Sequence, residues 1–234
     1  MATITAFDKS GTALDSATLA GFTAGGVDYI GNGQLLMNSA QGFSLSSYTS
    51  DGWDALEVIT SYPGSITGFG VCMNRGQSFD EMFDGESTDF TDGQQIYILS
   101  EEVSGMVTNL FLFKVDWDGS IVTNKATVST TRAKGLCTDG RAIYIWAEGP
   151  APALNKTIRQ VLINPNGYRA IDAQITSTVV LDLCFDGRAF WMLDSTNVAM
   201  HDPSDWVNPV ETFAHGISSP LGLTTDGQNL WVVN

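Results

Sequence analysis

Hydrophobic and polar positions alternate along the chain in short runs, and an Asp-Gly or Asn-Gly pair separates many of them. The last example is Gly222–Asn234, which reads GLTTDGQNLWVVN. Alternation with a period of two predicts a strand with one buried face, and Asp-Gly between two such runs predicts a hairpin. We expect a type I′ turn at each pair, because that turn requires φ > 0 at both central residues. Similar hairpins recur earlier, with turn glycines at Gly33, Gly93, Gly140 and Gly187.

The spacing of the turn glycines indicates the architecture. Successive turn glycines are 60, 47, 47 and 40 residues apart. A repeat in the forties that opens with a hairpin is typical of four-stranded propeller blades. The sequence therefore predicts an all-β protein, a five-bladed β-propeller in a single domain over 1–234. The blades are expected at about 25–62, 65–132, 133–179, 180–218, and 219–234 together with 1–22.

The fifth blade is predicted to be split between the two ends of the chain. Gly222–Asn234 supplies only two strands, and the other two are predicted at 2–7 and 17–22, joined by a turn at 8–11. C-terminal inner strands would then pair with N-terminal outer strands, and the closed ring would have no open seam. In blade 2 the inner strand is predicted at 68–73, and the polar residues after it form a long excursion rather than an extra blade.

Composition and charge narrow the range of binding partners and locations that we expect for this chain. The chain has 11 Lys and Arg against 26 Asp and Glu, a net charge of −15 with a pI near 4.2. Such a charge disfavours binding to nucleic acid and to anionic membranes. The first residues lack the basic and apolar regions of a signal peptide, and no apolar run could span a bilayer. The expectation is a soluble protein with no nucleic-acid partner and no membrane insertion.

The three cysteines predict buried inner-strand positions rather than disulfides. Cys137 and Cys184 each lie two residues before a turn aspartate, and Cys72 lies in a similar Gly-apolar-Cys stretch. Thr224 and Asp28 are placed in the same slot of the other two blades. Small buried side chains on separate blades are the expected result.

The excursion at 74–93 is a candidate partner-docking loop, because long loops often carry binding function. The alternative is a solvated acidic loop whose aromatic side chains cover the outer edge of the ring. Calcium needs six to eight oxygen ligands, and the acid spacing does not match an EF-hand, so neither a metal nor a cofactor is predicted. The candidate partner-binding residues in this loop are Phe79, Asp80, Phe83, Asp84, Glu86 and Asp89.

Long polar side chains follow each turn glycine and are predicted to form a circle on one face. Arg141 and Arg188 are the candidates for partner contact in this circle. The favoured alternative is that residues beside an exposed turn are ordinarily polar. The turn aspartates are explained by turn chemistry and are not predicted to be catalytic. The other members of the circle are Gln34, Gln94 and Gln228.

Three tryptophans near turns are candidate glycan-stacking surfaces, and local packing is the favoured alternative. They are Trp53, Trp117 and Trp206. Catalysis in a propeller funnel would need a pair of carboxylates on inner strands, and only Asp28 and Asp182 qualify. His201 is placed on the third strand of blade 4, where it could not reach the funnel. The chain is therefore not predicted to be an enzyme, and a glycoside hydrolase or lyase is the least favoured function.

The hairpin Gly-Leu-x-x-Asp-Gly-x-x-Leu-Trp-Val-x-Asn resembles the inner hairpin of NHL-like propeller repeats. This resemblance covers the first half of each blade and implies the fold, not the function. The composition, rich in Ala, Ser, Thr, Gly and Asp and poor in Lys, is similar to that of small bacteriophage virion proteins. It implies a non-enzymatic virion or tail accessory protein that contacts other virion or surface proteins. A glycan-binding propeller is the alternative.

Overall fold

In the part of the chain that the computed structural model describes, the strands form sheets in which neighbouring strands are antiparallel. Short alternating runs of β-branched and aromatic residues suit strands with at least one buried face. The described residues are 2–19, 26–31, 34–39, 42–49, 52–53, 57–61, 67–74, 95–104, 107–115, 126–129, 132–139, 142–148, 156–164, 167–174 and 179–234.

Four of the sheets are each formed by one continuous part of the chain. One contains β3 (Gly26–Gly31), β4 (Gln34–Ser39), β5 (Gly42–Thr49), β6 (Gly52–Trp53) and β7 (Glu57–Ser61). The next contains β8 (Thr67–Asn74), β9 (Gln95–Ser104), β10 (Val107–Val115) and β11 (Ala126–Ser129). A third contains β12 (Arg132–Thr138), β13 (Ile143–Glu148), β14 (Lys156–Asn164) and β15 (Gly167–Gln174). The fourth contains β16 (Asp182–Phe185), β17 (Phe190–Leu193), β18 (Asn197–His201) and β19 (Glu211–Ala214).

The remaining sheet joins the two ends of the chain. Its order is β2-β1-β21-β20, formed by β1 (Ala2–Phe7), β2 (Ala13–Leu19), β20 (Gly222–Thr225) and β21 (Leu230–Val233). Ile4 lies opposite Val233, and the Asn234 backbone N–H donates to the Thr3 carbonyl at 3.0 Å. The Asn234 side chain also accepts hydrogen bonds from the Thr3 backbone N–H and hydroxyl. This pairing of C-terminal inner strands with N-terminal outer strands is the one that the sequence predicts.

The second strand of the split sheet differs from its predicted position. The structure places β2 at Ala13–Leu19 rather than at 17–22. The reason is a tight turn, in which the Asp8 carboxylate accepts the backbone N–H groups of Ser10 and Thr12 at 3.0 and 2.8 Å. Because Asp8 closes this turn within four residues, pairing with β1 resumes at Ala13.

The first strands of the five sheets contact one another in sequence. The contacts run from β3 to β8, β12, β16 and β20, and from β20 back to β3. We call the space that these five strands surround the axis. The predicted blade count and ring closure stay predictions, and this order of contacts supports them.

The hairpin turns have a different geometry from the one predicted. The Asp186 backbone N–H donates to the Ala189 carbonyl at 3.2 Å, so the two central residues are Gly187 and Arg188. Gly187 has φ of 94°, whereas Arg188 is not among the described non-glycine residues with positive φ. These signs are those of a type II′ turn, so the prediction of type I′ turns centred on Asp-Gly is wrong here. The Asp186 carboxylate instead accepts the N–H groups of Arg188 and Ala189, both at 2.9 Å, which places it before the central pair.

Buried apolar side chains fill the space between neighbouring sheets. Phe7 of β1, Leu193 of β17 and Leu223 of β20 belong to one cluster, which joins the split sheet to the β16–β19 sheet. Trp146 of β13 and Leu183 of β16 belong to another, which joins the β12–β15 and β16–β19 sheets. Such contacts hold the sheets face to face and leave their first strands to line the axis.

Candidate functional site at the axis

One position on the first strands repeats around the axis, and it is glycine in four of the five sheets. By strand register this position lies two residues before the cysteine slot, and we call it the axial row. Because glycine has no Cβ, four such positions leave space near the axis for one larger side chain. The axial row consists of Gly26, Gly70, Gly135, Asp182 and Gly222.

Asp182 is the exception in the axial row, and its carboxylate occupies the space beside the glycines. A Cβ at Gly135 would lie 3.0 Å from Asp182 Oδ1, and a Cβ at Gly222 would lie 3.4 Å from Asp182 Oδ2. The residue is 2% exposed. Gly135 and Gly222 therefore provide room for one buried carboxylate.

The Asp182 carboxylate accepts backbone N–H groups from three consecutive first strands. Oδ1 accepts from Leu183 of β16 at 2.9 Å and from Leu136 of β12 at 3.4 Å. Oδ2 accepts from Leu223 of β20 at 2.8 Å. A buried carboxylate is costly unless its oxygens are hydrogen-bonded, and here both oxygens have donors.

Burial raises the pKa of the Asp182 carboxyl well above its ordinary value, and the nearby charge of Asp28 raises it further. The three backbone N–H donors act in the opposite direction, since they stabilise the ionised form. Burial also raises the pKa of the Cys184 thiol well above its ordinary value, with the charges of Asp182 and Asp28 adding to the effect. Burial is thus the main cause of both raised pKa values, and the charges of the neighbouring aspartates add to it.

Asp28 of β3 is the partly exposed carboxylate of this region. The Thr224 hydroxyl of β20 donates to Asp28 Oδ1 at 3.4 Å and accepts the Tyr29 backbone N–H at 2.7 Å. Asp28 is therefore oriented from the neighbouring sheet, while solvent can still reach it. The partly exposed carboxylate of Asp28 beside the fully buried carboxylate of Asp182 is an arrangement suited to proton transfer.

The predicted cysteine slot is buried in three of the four sheets in which the structure describes its side chain, and the partly exposed Asp28 is the exception. Cys137 and Cys184 are each 5% exposed and form no disulfide, and Thr224 is 1% exposed. Each lies opposite an aromatic residue on the second strand, as in the pair Cys184 and Trp191. These residues pack the first strands against the neighbouring sheets, as the sequence predicts.

The turn aspartates lie apart from the axis and have a shared structural partner. Asp186 Oδ2 accepts Trp191 Nε1–H at 3.0 Å, and Asp226 Oδ2 accepts Trp231 Nε1–H at 3.4 Å. In the β12–β13 hairpin, the Tyr144 hydroxyl donates to Asp139 at 2.9 Å. In each case the aromatic residue follows the aspartate by five positions, and the bond fixes the second strand to its own turn.

Most of the predicted partner-binding residues lie outside the described part of the chain. This applies to Arg141 and to the six loop residues Phe79, Asp80, Phe83, Asp84, Glu86 and Asp89. Arg188 is exposed in the β16–β17 turn, and Gln228 is exposed at the equivalent place in the β20–β21 turn. Partner binding at these residues stays a prediction.

Of the predicted stacking tryptophans, Trp206 is placed differently from the expectation. It is only 8% exposed and packs against Phe190, with ring centroids 4.6 Å apart, and against Tyr144 at 6.0 Å. Trp206 is therefore not an exposed stacking surface and follows the favoured alternative of local packing, because the 202–210 loop folds its ring onto the core. Trp53 lies in β6 opposite Tyr48, and Trp117 lies outside the described residues.

His201 ends β18, the third strand of its sheet, in agreement with the sequence prediction. It is 3% exposed, and burial is the main cause that lowers its pKa. Within the described part of the chain its Nδ1 atom has no hydrogen-bond partner. His201 is remote from the axial row in strand order and is not part of the candidate site.

Asp28 and Asp182 could be identified from the sequence as inner-strand acids, but their shared hydrogen-bond network and the role of Thr224 could not. Aligning the repeats two residues before the cysteine slot shows Asp182 as the exception among glycines.

No group of three or more potential metal-binding side chains is found among the described residues. Nor does any described helix have the length and hydrophobicity to cross a membrane.

Comparison with solved structures identifies the fold as a β-propeller. Xanthomonas campestris gluconolactonase is 13% identical over 89% of this chain and 84% of its own, with a TM-score of 0.51. Myxococcus xanthus glutaminyl cyclase is 12% identical over 90% of this chain and 89% of its own, with a TM-score of 0.50. A structure described as the Dos1 propeller is 14% identical over 99% of this chain and 59% of its own, with a TM-score of 0.44. Comparison with protein families and with curated proteins gives no match.

These comparisons correct the predicted function. Enzymes predominate among the similar structures, and nothing among them indicates a bacteriophage protein. The prediction of a non-enzymatic virion or tail protein is therefore wrong, and the resemblance to NHL-like repeats and to virion proteins has no support. At 12 and 13% identity the likeness itself shows the fold alone, so activity has to be argued from the residues of this chain.

Proposed function

We propose that this chain is a closed five-bladed propeller that hydrolyses a small, uncharged ester or lactone at its axis. The observation that carries the proposal is the Asp28 carboxylate, partly exposed beside the fully buried Asp182 and oriented by the Thr224 hydroxyl. Pairing of the two chain ends in one sheet and the order of first-strand contacts support the closed ring.

Asp28 is the general base in this proposal. Its carboxylate takes a proton from water while the water oxygen attacks the carbonyl carbon of the substrate, and the C=O electron pair moves to oxygen. The tetrahedral intermediate then breaks its C–O bond, and the proton passes from Asp28 to the departing alkoxide. The products are a carboxylic acid and an alcohol, or a hydroxy acid when the substrate is a lactone.

The electrostatics of the axis favour an uncharged substrate. The Asp28 carboxylate is partly exposed there, and the net charge of the chain is −15. An anionic substrate would be repelled from such a region, whereas a neutral ester or lactone would not. The Xanthomonas propeller is a gluconolactonase, which makes glucono-δ-lactone a suitable first probe.

The test is a pH-stat assay of glucono-δ-lactone and phenyl acetate hydrolysis by the wild type and by Asp28→Asn. The amide cannot accept the proton of water, so a rate loss on the order of 100-fold is expected for Asp28→Asn. Asp15→Asn, which removes an exposed carboxylate on β2, is the matched control and should retain full activity. Circular dichroism checks that both variants fold. No hydrolysis above the spontaneous rate, or equal rates for wild type and Asp28→Asn, would overturn the proposal.

A further inference from the structure

Among the described residues, hydrogen bonds between main chains link strands within each sheet, and side chains supply links between first strands. Asp182 is one such link, because its two oxygens accept N–H groups from β12, β16 and β20. Asp182 therefore forms hydrogen bonds to strands of three different sheets. A hydrophobic contact between sheets is non-directional, whereas these bonds fix distance and orientation.

Thr224 continues the connection from β20 to β3. Its hydroxyl accepts the Tyr29 N–H at 2.7 Å and donates to the Asp28 carboxylate at 3.4 Å. Thr224 directly follows Leu223, whose N–H is held by Asp182 at 2.8 Å. Adjacent residues of β20 are thus bonded to β16 on one side and to β3 on the other.

We infer that Asp182 and Thr224 form one axial hydrogen-bond relay that runs from β12 through β16 and β20 to β3 and sets the position of Asp28. Asp182 is a positioning residue in this relay. The inference deepens the proposed function, since it states what holds the proposed general base in place.

The physical argument for coupling is the stiffness of one short segment. A strand residue cannot move by much without moving its neighbour, because the peptide units on either side are planar. If Leu223 loses its bond to Asp182, Thr224 gains freedom, and the bonds to Tyr29 and Asp28 weaken with it. Leu223 and Thr224 are both almost fully buried, so water cannot readily replace the lost partners.

The repeat itself offers the variant that breaks the relay. Asp182→Gly places at this position the residue that the other four first strands carry there. The substitution removes the carboxylate and both of its connections, to β12 and to β20. Asp186→Asn is the matched control, because Asp186 also accepts backbone N–H groups but lies in the turn, away from the relay.

Amide hydrogen exchange followed by NMR tests the relay without any assay of activity. In Asp182→Gly we expect exchange roughly two- to tenfold faster at Leu136, Leu183 and Leu223, and also at Tyr29, which Asp182 does not touch. The side-chain pKa of Asp28, measured by carbon NMR, is expected to shift in the same variant. Unchanged exchange at Tyr29 together with an unchanged Asp28 pKa would overturn the inference.

A second variant keeps the test decisive if Asp182→Gly does not fold. Asp182→Asn retains one carbonyl oxygen for Leu136 and Leu183, but its amide group cannot accept the Leu223 N–H. Exchange is then expected to be faster at Leu223 and Tyr29 alone. Faster exchange at Leu223 with no change at Tyr29 would show that the link ends at β20, and the inference would be wrong.

Activity separates this inference from the proposed function. If both hold, Asp182→Asn lowers kcat with little change in KM, because Asp28 is misplaced and not removed. If exchange at Tyr29 responds but the wild type hydrolyses neither probe, the relay stands and the proposed function fails. If the wild type is active but Tyr29 does not respond, the relay fails and the proposed function stands.

Discussion

Gly135 illustrates how one residue can be required by both its backbone and its surroundings. Its φ of 65° is unfavourable for residues with a Cβ. A Cβ there would also lie 2.5 Å from Leu183 Cδ2 and 2.8 Å from the Asp182 Cα. The register of β12 against β13 shifts at this place, which turns the Leu136 N–H towards Asp182.

We expect Gly135→Ala to lower the free energy of unfolding by about 2–4 kcal/mol, through the strained φ and the overlap with β16. Gly187→Ala is the matched control, since Gly187 also has positive φ, of 94°, but no described atom within 4 Å of a Cβ. That variant should lose only about 1 kcal/mol. Urea denaturation of both variants measures the difference, and equal losses would contradict the role of packing at Gly135.

At the scale of the element, the hairpin between the first two strands is the repeating unit. A turn aspartate holds the backbone N–H groups of its own turn and also the polar atom of the aromatic residue five positions later. In the β16–β17 hairpin Lys9 adds a bond from the neighbouring sheet, with Nζ 2.6 Å from Asp186 Oδ2. The side chain of Asp186 is only 4% exposed and that of Lys9 is 35% exposed, so the carboxylate of this ion pair is shielded from solvent while the lysine is partly solvated.

Although burial alone would raise it, the pKa of Asp186 is lowered to about 2 by hydrogen bonds from Lys9, Trp191 and the turn backbone. Because the pKa of Asp186 is lower in the folded state, its ionised carboxylate stabilises the fold at pH values above 3.8, which is the pKa in the unfolded chain. This contribution is lost as the pH falls towards 2. We expect Lys9→Met to cost on the order of 1–2 kcal/mol at pH 7 and much less at pH 2. Urea denaturation across this pH range measures it. Arg188→Met, which removes an exposed cation from the same turn, should show no such pH dependence.

At the scale of the molecule, the split sheet makes the two ends of the chain depend on each other. Ile4, Ala6 and Phe7 of β1 are buried, and β1 supplies the sheet partner of β21. Phe7 also contacts Phe213 of β19, with ring centroids 5.8 Å apart. The first strand thus contacts strands of two sheets, β21 and β19, that lie far from it in sequence.

Removal of residues 1–19 should destabilise the whole protein and not only its final strands. The loss of three buried side chains and one strand pairing is expected to exceed about 5 kcal/mol, comparable with the total stability of a domain. Thermal melting followed by circular dichroism is the measurement. Leu14→Ser changes an exposed side chain on β2 and should leave the melting temperature nearly unchanged. A truncated protein that melts cooperatively at the wild-type temperature would contradict this view of the split sheet.

Much of the fold could be predicted because its information is local. Alternating apolar residues, turn glycines and their spacing determine strands and hairpins through contacts only a few residues apart in sequence. The pairing of the chain ends could also be predicted, because a two-stranded remainder at Gly222–Asn234 needs partners. The extent of β2 could not, since the Asp8 side chain decides where pairing resumes.

The candidate site was only partly predictable. Asp28 and Asp182 could be identified as inner-strand acids, and Cys137 and Cys184 as buried neighbours. The type of turn was missed, because it depends on backbone geometry that the local pattern does not specify. The packing partners of Trp206 could not be predicted either, because they come from other strands.

The sequence by itself determined the strands, the repeat and the glycines of the axial row, because these follow from local patterning and backbone preference. Only the tertiary structure decided which groups meet at the axis. Asp182 lies 46 residues from Leu136 and 41 from Leu223, and Thr224 lies 196 residues from Asp28. Hydrogen bonds over such separations exist only after the sheets have packed around the axis, so no local pattern in the chain could specify them.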